Sequence, residues 1–133
     1  MDQDEAPIDH RLDGFRILVV EDTVLLADAI SDQLRSHGCT VIGPAGRLER
    51  ALKLARSETL DGVLLDLNLA GEFSFPVAAE LSKRGVPFII LTGYESLSIV
   101  PPEFRSAPRL QKPFYPEHLT DLIAQTFSKQ KDG

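Results

Sequence analysis

The sequence predicts an α/β fold: a doubly wound, five-stranded parallel sheet with helices on both faces. Three observations predict it. Short, continuous apolar runs recur, as in strands covered on both faces rather than on one. Segments with helical apolar spacing alternate strictly with them, which implies right-handed crossovers between parallel strands. The 133 residues fit one domain, which at that size buries roughly two-thirds of its unfolded surface and needs no staples.

The elements follow in order. Residues 1–14 hold five acids (Asp2, Asp4, Glu5, Asp9, Asp13) and one base (Arg11), so residues 1–13 are expected to form an acidic, flexible leader. Residues 16–20, RILVV, form the first strand and run into Glu21-Asp22. A helix over 23–37 carries Leu26, Ile30 and Leu34 on one face, and Gly38 stands at its stop. His37 there suits a helix C-terminus as a side chain able to become a cation. Thr40 to Ile42 is a short second strand ending at Gly43-Pro44, with Cys39 packed at its start. The second helix shows its stripe at Leu48, Ala51, Leu52 and Ala55. The third strand, Gly62 to Leu65, enters Asp66, and a loop containing Gly71 follows. The third helix starts at Pro76, a residue favoured in the first turn, and stops at Gly85. Phe88 to Thr92 is the fourth strand. Pro101, Pro102 and Pro108 leave room for only a short or irregular fourth helix in 93–107. Leu110 and Gln111 lead the fifth strand into Lys112-Pro113. The last helix runs from Pro116 to Phe127, and residues 129–133 are a flexible tail.

Composition narrows the class. With 43% hydrophobic and 26% charged residues, the chain matches ordinary globular usage. No apolar run approaches the length that spans a bilayer, and the acidic start is unlike a secretory signal. The lone Cys39 cannot form an internal disulfide, in keeping with a reducing cytoplasm. Net charge is −6 with no basic stripe evident along the sequence, so nucleic-acid and membrane partners are not expected. His10, His37 and His118 lack the spacing of a zinc site.

In doubly wound sheets, ligands bind beyond the carboxyl ends of the strands. Four of the five ends carry reactive groups: Glu21 and Asp22 after the first, Asp66 after the third, Thr92 on the fourth and Lys112 after the fifth. Any one of these has an ordinary explanation, such as a helix cap, a loop cap or a surface charge. Together they make a different pattern. Three converging carboxylates need a cation, and hard oxygen donors suit Mg²⁺. A hydroxyl and an ammonium opposite them can hold phosphoryl oxygens, and phosphoryl transfer is largely positioning and charge neutralisation.

The stretches RILVVEDTVLLADAI at 16–30, VLLDLNL at 63–69, IILTG at 89–93 and LQKPF at 110–114 resemble the response-regulator receiver domain, including the single-domain chemotaxis regulator. The resemblance covers residues 14–128. It implies strand order 2-1-3-4-5 and a bacterial two-component phosphorelay. Asp66 would accept a phosphoryl group from a sensor histidine kinase. Glu21, Asp22, Asp66 and the backbone carbonyl of Asn68 would hold Mg²⁺, Thr92 and Lys112 would contact the phosphoryl oxygens, and the Lys112–Pro113 bond would be cis. The Asp22-to-Asp66 spacing suits the family, whereas the Asp66-to-Thr92 and Thr92-to-Lys112 spacings are short for it.

Three departures stand out. Where the family usually has a Met-Pro step after the acceptor, the chain reads Leu67-Asn68-Leu69-Ala70-Gly71, with no proline until Pro76. Arg109 stands where most receivers have an aromatic switch residue. Pro87 to Tyr94 is similar to the Pro-Phe-x-Phe-Ala-Thr-Gly-Tyr motif of an atypical bacterial subgroup, differing at Ile90 and Leu91. Tyr94, Arg109 or the segment 95–108 is therefore the expected switch. The length leads to a stand-alone receiver, not itself an enzyme, that acts as a phosphate sink, shuttles to a histidine phosphotransfer protein, or binds a downstream target.

Competing readings fit less well. A haloacid-dehalogenase-type phosphatase needs Asp-x-Asp on the first strand. Nucleotide binding needs a glycine-rich first turn, which Glu21-Asp22-Thr23 is not. A phosphorylation-independent pseudo-receiver normally loses an acid or the lysine, and both kinds of residue are present.

Overall fold

A computed structural model describes residues 7–93 and 99–129. Five parallel strands form one sheet: β1 (Arg16–Val20), β2 (Thr40–Ala45), β3 (Gly62–Asp66), β6 (Phe88–Thr92) and β7 (Arg109–Gln111), in the order β2-β1-β3-β6-β7. With the small hairpin β4 (Asn68–Leu69) and β5 (Glu72–Phe73) set aside, this is the expected order 2-1-3-4-5. The helices are α1 (Val24–Ser36), α2 (Leu48–Ser57), α3 (Phe75–Arg84) and α4 (Pro116–Thr126).

Alternation along each strand divides the core into two layers. Leu18, Val20, Val63, Leu65 and Ile90 pack against Ala51 and Ala55 of α2 and Val77, Ala78 and Leu81 of α3. Ile17, Val19, Leu64, Ile89 and Leu91 face the other way, against Ile30 and Leu34 of α1 and Leu119 and Ile123 of α4. All five residues of β3 are buried, which is why its sequence reads as an unbroken apolar run. At Gly62 a Cβ would fall inside the Phe127 ring, so only glycine lets the chain beyond α4 close on the sheet. Gly85 ends α3 with φ 70°, the left-handed conformation that a helix stop favours.

The structure corrects the sequence reading in several places. β2 does not stop at Ile42 but continues to Ala45, through a cis Gly43–Pro44 bond. It is an edge strand, where proline's missing N–H deprives no neighbour of a ladder bond. The expected loop after Asp66 is the antiparallel hairpin β4–β5, turned by Ala70 (φ 52°) and Gly71. Residues 7–13 are not a free leader. A 3₁₀ turn at His10–Leu12 inserts Leu12, fully buried, into the α1/α4 layer. Arg11 ties Asp9 to Asp121 of α4, and the folded unit begins before residue 14.

His37 serves this strap. Its Nδ1 accepts the Asp9 N–H at 2.8 Å. Cys39 is buried, donates to the Leu12 carbonyl and has its thiol pushed up to about 11, chiefly by burial. Between β6 and β7 the described residues include a 3₁₀ turn at Pro102–Phe104, and residues 94–98 of the expected short or irregular fourth helix lie outside the described residues. Among the described residues, no helix is long and apolar enough to cross a membrane.

Candidate functional site

Register assembles the site. Val20 pairs with Leu65, Asp66 with Leu91, and Thr92 with Gln111. The residues at or just beyond these positions, Glu21, Asp22, Asp66, Thr92 and Lys112, therefore share the carboxyl edge of the sheet. Glu21, Asp22 and Asp66 each offer an oxygen, all within 4.8 Å of one another. Glu21 and Asp66 are buried, 2% and 4% exposed, and Asp22 is the most open of the three.

Buried carboxylates at that separation need compensation. Lys112 supplies it: Nζ lies 2.6 Å from Glu21 Oε1 and 3.0 Å from Asp66 Oδ2. The Lys112 N–H donates to the Thr92 carbonyl at 2.7 Å, which ties this side chain's backbone to the end of β6; the Lys112–Pro113 bond is cis. One backbone amide also reaches each carboxylate. Thr23 N–H donates to Glu21 Oε2 at 2.9 Å, Asn68 N–H to Asp66 Oδ1 at 3.2 Å, and Ala70 N–H to Asp22 Oδ2 at 2.9 Å.

The charges are tuned accordingly. Burial, and then the Glu21 charge, push the Asp66 carboxyl well above the usual carboxylate range, against the pull of Lys112. Burial opposes the Lys112 ammonium, but hydrogen bonds to Glu21 and Asp66 and their charges outweigh it and hold its pKa above the usual lysine value. Burial also raises Asp22, yet the Ala70 amide and the neighbouring acids more than reverse this, so Asp22 lies below its usual value. The edge thus presents a carboxyl group under electrostatic stress beside an ammonium. The donor set fits a hard divalent cation: three converging carboxylate oxygens, the kind of ligand such a cation takes.

Thr92 stands half-buried on this edge. Asn68 opens the hairpin, where its side-chain oxygen accepts the Gly71 N–H at 2.8 Å. Arg109 opens β7. Its guanidinium donates to the Arg105 carbonyl, while Arg105 Nε donates to the Val100 carbonyl at 2.9 Å, so two arginines brace the turn before β7. Tyr94 lies outside the described residues, as do residues 95–98.

One residue escaped the sequence reading. Ser74 is fully buried, and its hydroxyl donates to the Asp66 carbonyl at 2.5 Å. The signal was a serine directly before a helix, which reads as an ordinary N-cap.

The fold and the site define an α/β protein with an acidic, lysine-bridged pocket at the carboxyl edge of its sheet. The model of the response regulator receiver domain matches residues 17–124, and the chain belongs to that family. The transcriptional regulatory protein PdtaR of Mycobacterium tuberculosis is 29% identical over 109 residues, covering 81% of this chain and 53% of PdtaR. Among solved structures, SdrG from Sphingomonas melonis Fr1 is 37% identical with a TM-score of 0.72, covering 84% of this chain and 95% of that one. A CheY-like receiver domain from Methanospirillum hungatei JF-1 is 26% identical with a TM-score of 0.76, covering 84% and 92%. The chain spans about half the length, or less, of the curated relatives it matches.

Proposed function

We propose that this receiver accepts a phosphoryl group on Asp66 from the phosphohistidine of a sensor histidine kinase in a two-component phosphorelay of the bacterial cytoplasm. The observation that carries the reading is the contact of one ammonium, Lys112 Nζ, with both Glu21 and Asp66 at a buried carboxylate cluster. Such an ammonium can follow charge from the carboxylate onto a phosphoryl oxygen bound in its place.

In the step, an Asp66 carboxylate oxygen attacks phosphorus. The P–N bond breaks, and its electron pair stays on the imidazole nitrogen of the kinase. Lys112 and the Thr92 hydroxyl hold two outer oxygens of the phosphoryl group. Glu21, Asp22, Asp66 and the Asn68 carbonyl would hold Mg²⁺, which when bound offsets the carboxylate charge and that of the incoming phosphoryl group. The amides of Asn68 and Ala70 keep Asp66 and Asp22 oriented throughout. The protein then signals through contact with a downstream target or passes the group to a histidine phosphotransfer protein.

Intact-protein mass spectrometry after acetyl phosphate treatment tests this. A single phosphoryl adduct is expected on the wild type with Mg²⁺, and none on Asp66→Asn or with the metal chelated. No adduct under any condition would overturn the reading in favour of a phosphorylation-independent interaction module.

A further inference from the structure

The turn between β3 and α3 is closed by a bond that a helix start does not need. Ser74 occupies the N-cap of α3, and its carbonyl accepts the N–H groups of Val77 and Ala78. A serine there ordinarily turns its hydroxyl onto a first-turn amide. Here no side-chain cap bond forms, and the hydroxyl reaches back eight residues to the Asp66 carbonyl instead. The Ser74 N–H closes a second link, to the Leu67 carbonyl at 2.8 Å. Residues 66–74 are therefore a ring pinned at its base.

The ring carries both amides that aim the carboxylates. Asn68 N–H points at Asp66 Oδ1, and Ala70 N–H crosses from the hairpin tip to Asp22 Oδ2, 48 positions away in sequence. Ala70, at the hairpin tip, holds a positive φ of 52°, and such a conformation in a non-glycine residue persists only when its surroundings over-determine it. From this geometry we infer that Ser74 is a positioning residue for the site. Its hydroxyl fixes the backbone of Asp66 and, through the hairpin, holds Ala70 on Asp22, so that the carboxylates stay aligned for a cation and a phosphoryl group. The inference rests on the reading of Asp66 as phosphoacceptor, and it extends that reading to a residue that touches neither ligand.

The test compares Ser74→Ala, Ser74→Thr and, as a control, Thr120→Val, which removes a hydroxyl-to-carbonyl bond inside α4. Two readouts are taken on each: Mg²⁺ affinity of the unphosphorylated protein, followed by the amide resonances of Asn68 and Ala70, and the rate of adduct formation from acetyl phosphate. Outer-shell partners of metal ligands are typically worth 10–100-fold in affinity or activity. Ser74→Ala should therefore weaken Mg²⁺ binding by about tenfold and slow adduct formation. Ser74→Thr, which keeps the hydroxyl, should recover part of both if it folds, and Thr120→Val should change thermal stability alone. Wild-type Mg²⁺ affinity and rate in Ser74→Ala would overturn the inference, as would equal losses in Thr120→Val. If wild type forms no adduct yet Ser74→Ala still loosens Mg²⁺, the phosphoacceptor reading fails and the positioning role stands.

Discussion

At the scale of single residues, Lys112 sets the state of the site. Its side chain is 21% exposed, whereas the two carboxylates it joins are almost wholly buried. Removing one partner of a buried pair leaves an uncompensated charge and costs about 3–5 kcal/mol. The partial exposure of Lys112, and the ease with which Asp66 can take up a proton instead, reduce that to about 2–3 kcal/mol. Lys112→Met is accordingly expected to lower stability by that amount in urea denaturation at neutral pH without divalent cation. It should also push the Asp66 carboxyl still higher. Adding Asp66→Asn should restore part of the loss, since it removes one of the two carboxylates that Lys112 bridges and leaves Glu21. A double variant as unstable as the single one would show that the lysine acts through packing of its stem instead.

At the scale of elements, what the sequence made legible was whatever repeats a strong local pattern. The runs RILVV and FIILT read as strands because both faces of the sheet are covered, and α3 was bounded by Pro76 and Gly85. The site residues were legible for the same reason, since each stands at or just past the end of a recognisable strand. What stayed hidden depends on contacts distant in sequence. Two-residue strands such as β4 and β5 leave no periodicity, and the turn between them uses Ala70 where a glycine would have announced it. β2 ran on past Gly43-Pro44 because its position at the sheet edge, which sequence does not display, makes the proline harmless.

The strap at His10–Leu12 was obscured by the acids around it: five charges outweighed one leucine. That leucine is completely buried between α1 and α4. Leu12→Ala should therefore cost about 2–4 kcal/mol, in line with other buried leucines, as measured by the urea midpoint at unchanged slope. A change below about 0.5 kcal/mol, typical of surface sites, would mean that residues 7–13 do lie free in solution.

At the scale of the whole molecule, folding, protons and cation are linked through Asp66. Its folded pKa stands above the unfolded value, so the native state binds more protons than the unfolded chain between the two. The stability it contributes is fully present below the ordinary aspartate value, about 3.9, and is lost as pH rises through the raised one. Asp22 and Asp9 are shifted the other way; their contribution is present above the ordinary value and lost as pH falls. From about pH 5 upward both are already ionised in the folded and unfolded chains, and comparison with a variant lacking the Asp66 carboxyl isolates its contribution to the slope. Without divalent cation, wild type is thus expected to lose stability between about pH 5 and pH 8 relative to Asp66→Asn, whose amide does not titrate. Bound as proposed above, Mg²⁺ would compete with the Asp66 proton, so it should restore more at the upper pH than at the lower. Saturation at one hundred times the dissociation constant corresponds to about 2.7 kcal/mol. Urea melts of both proteins at the two pH values, with and without Mg²⁺, check this directly. Parallel pH profiles for wild type and Asp66→Asn, or an Mg²⁺ effect equal at both pH values, would show that the acidic edge is not coupled to folding through this carboxylate.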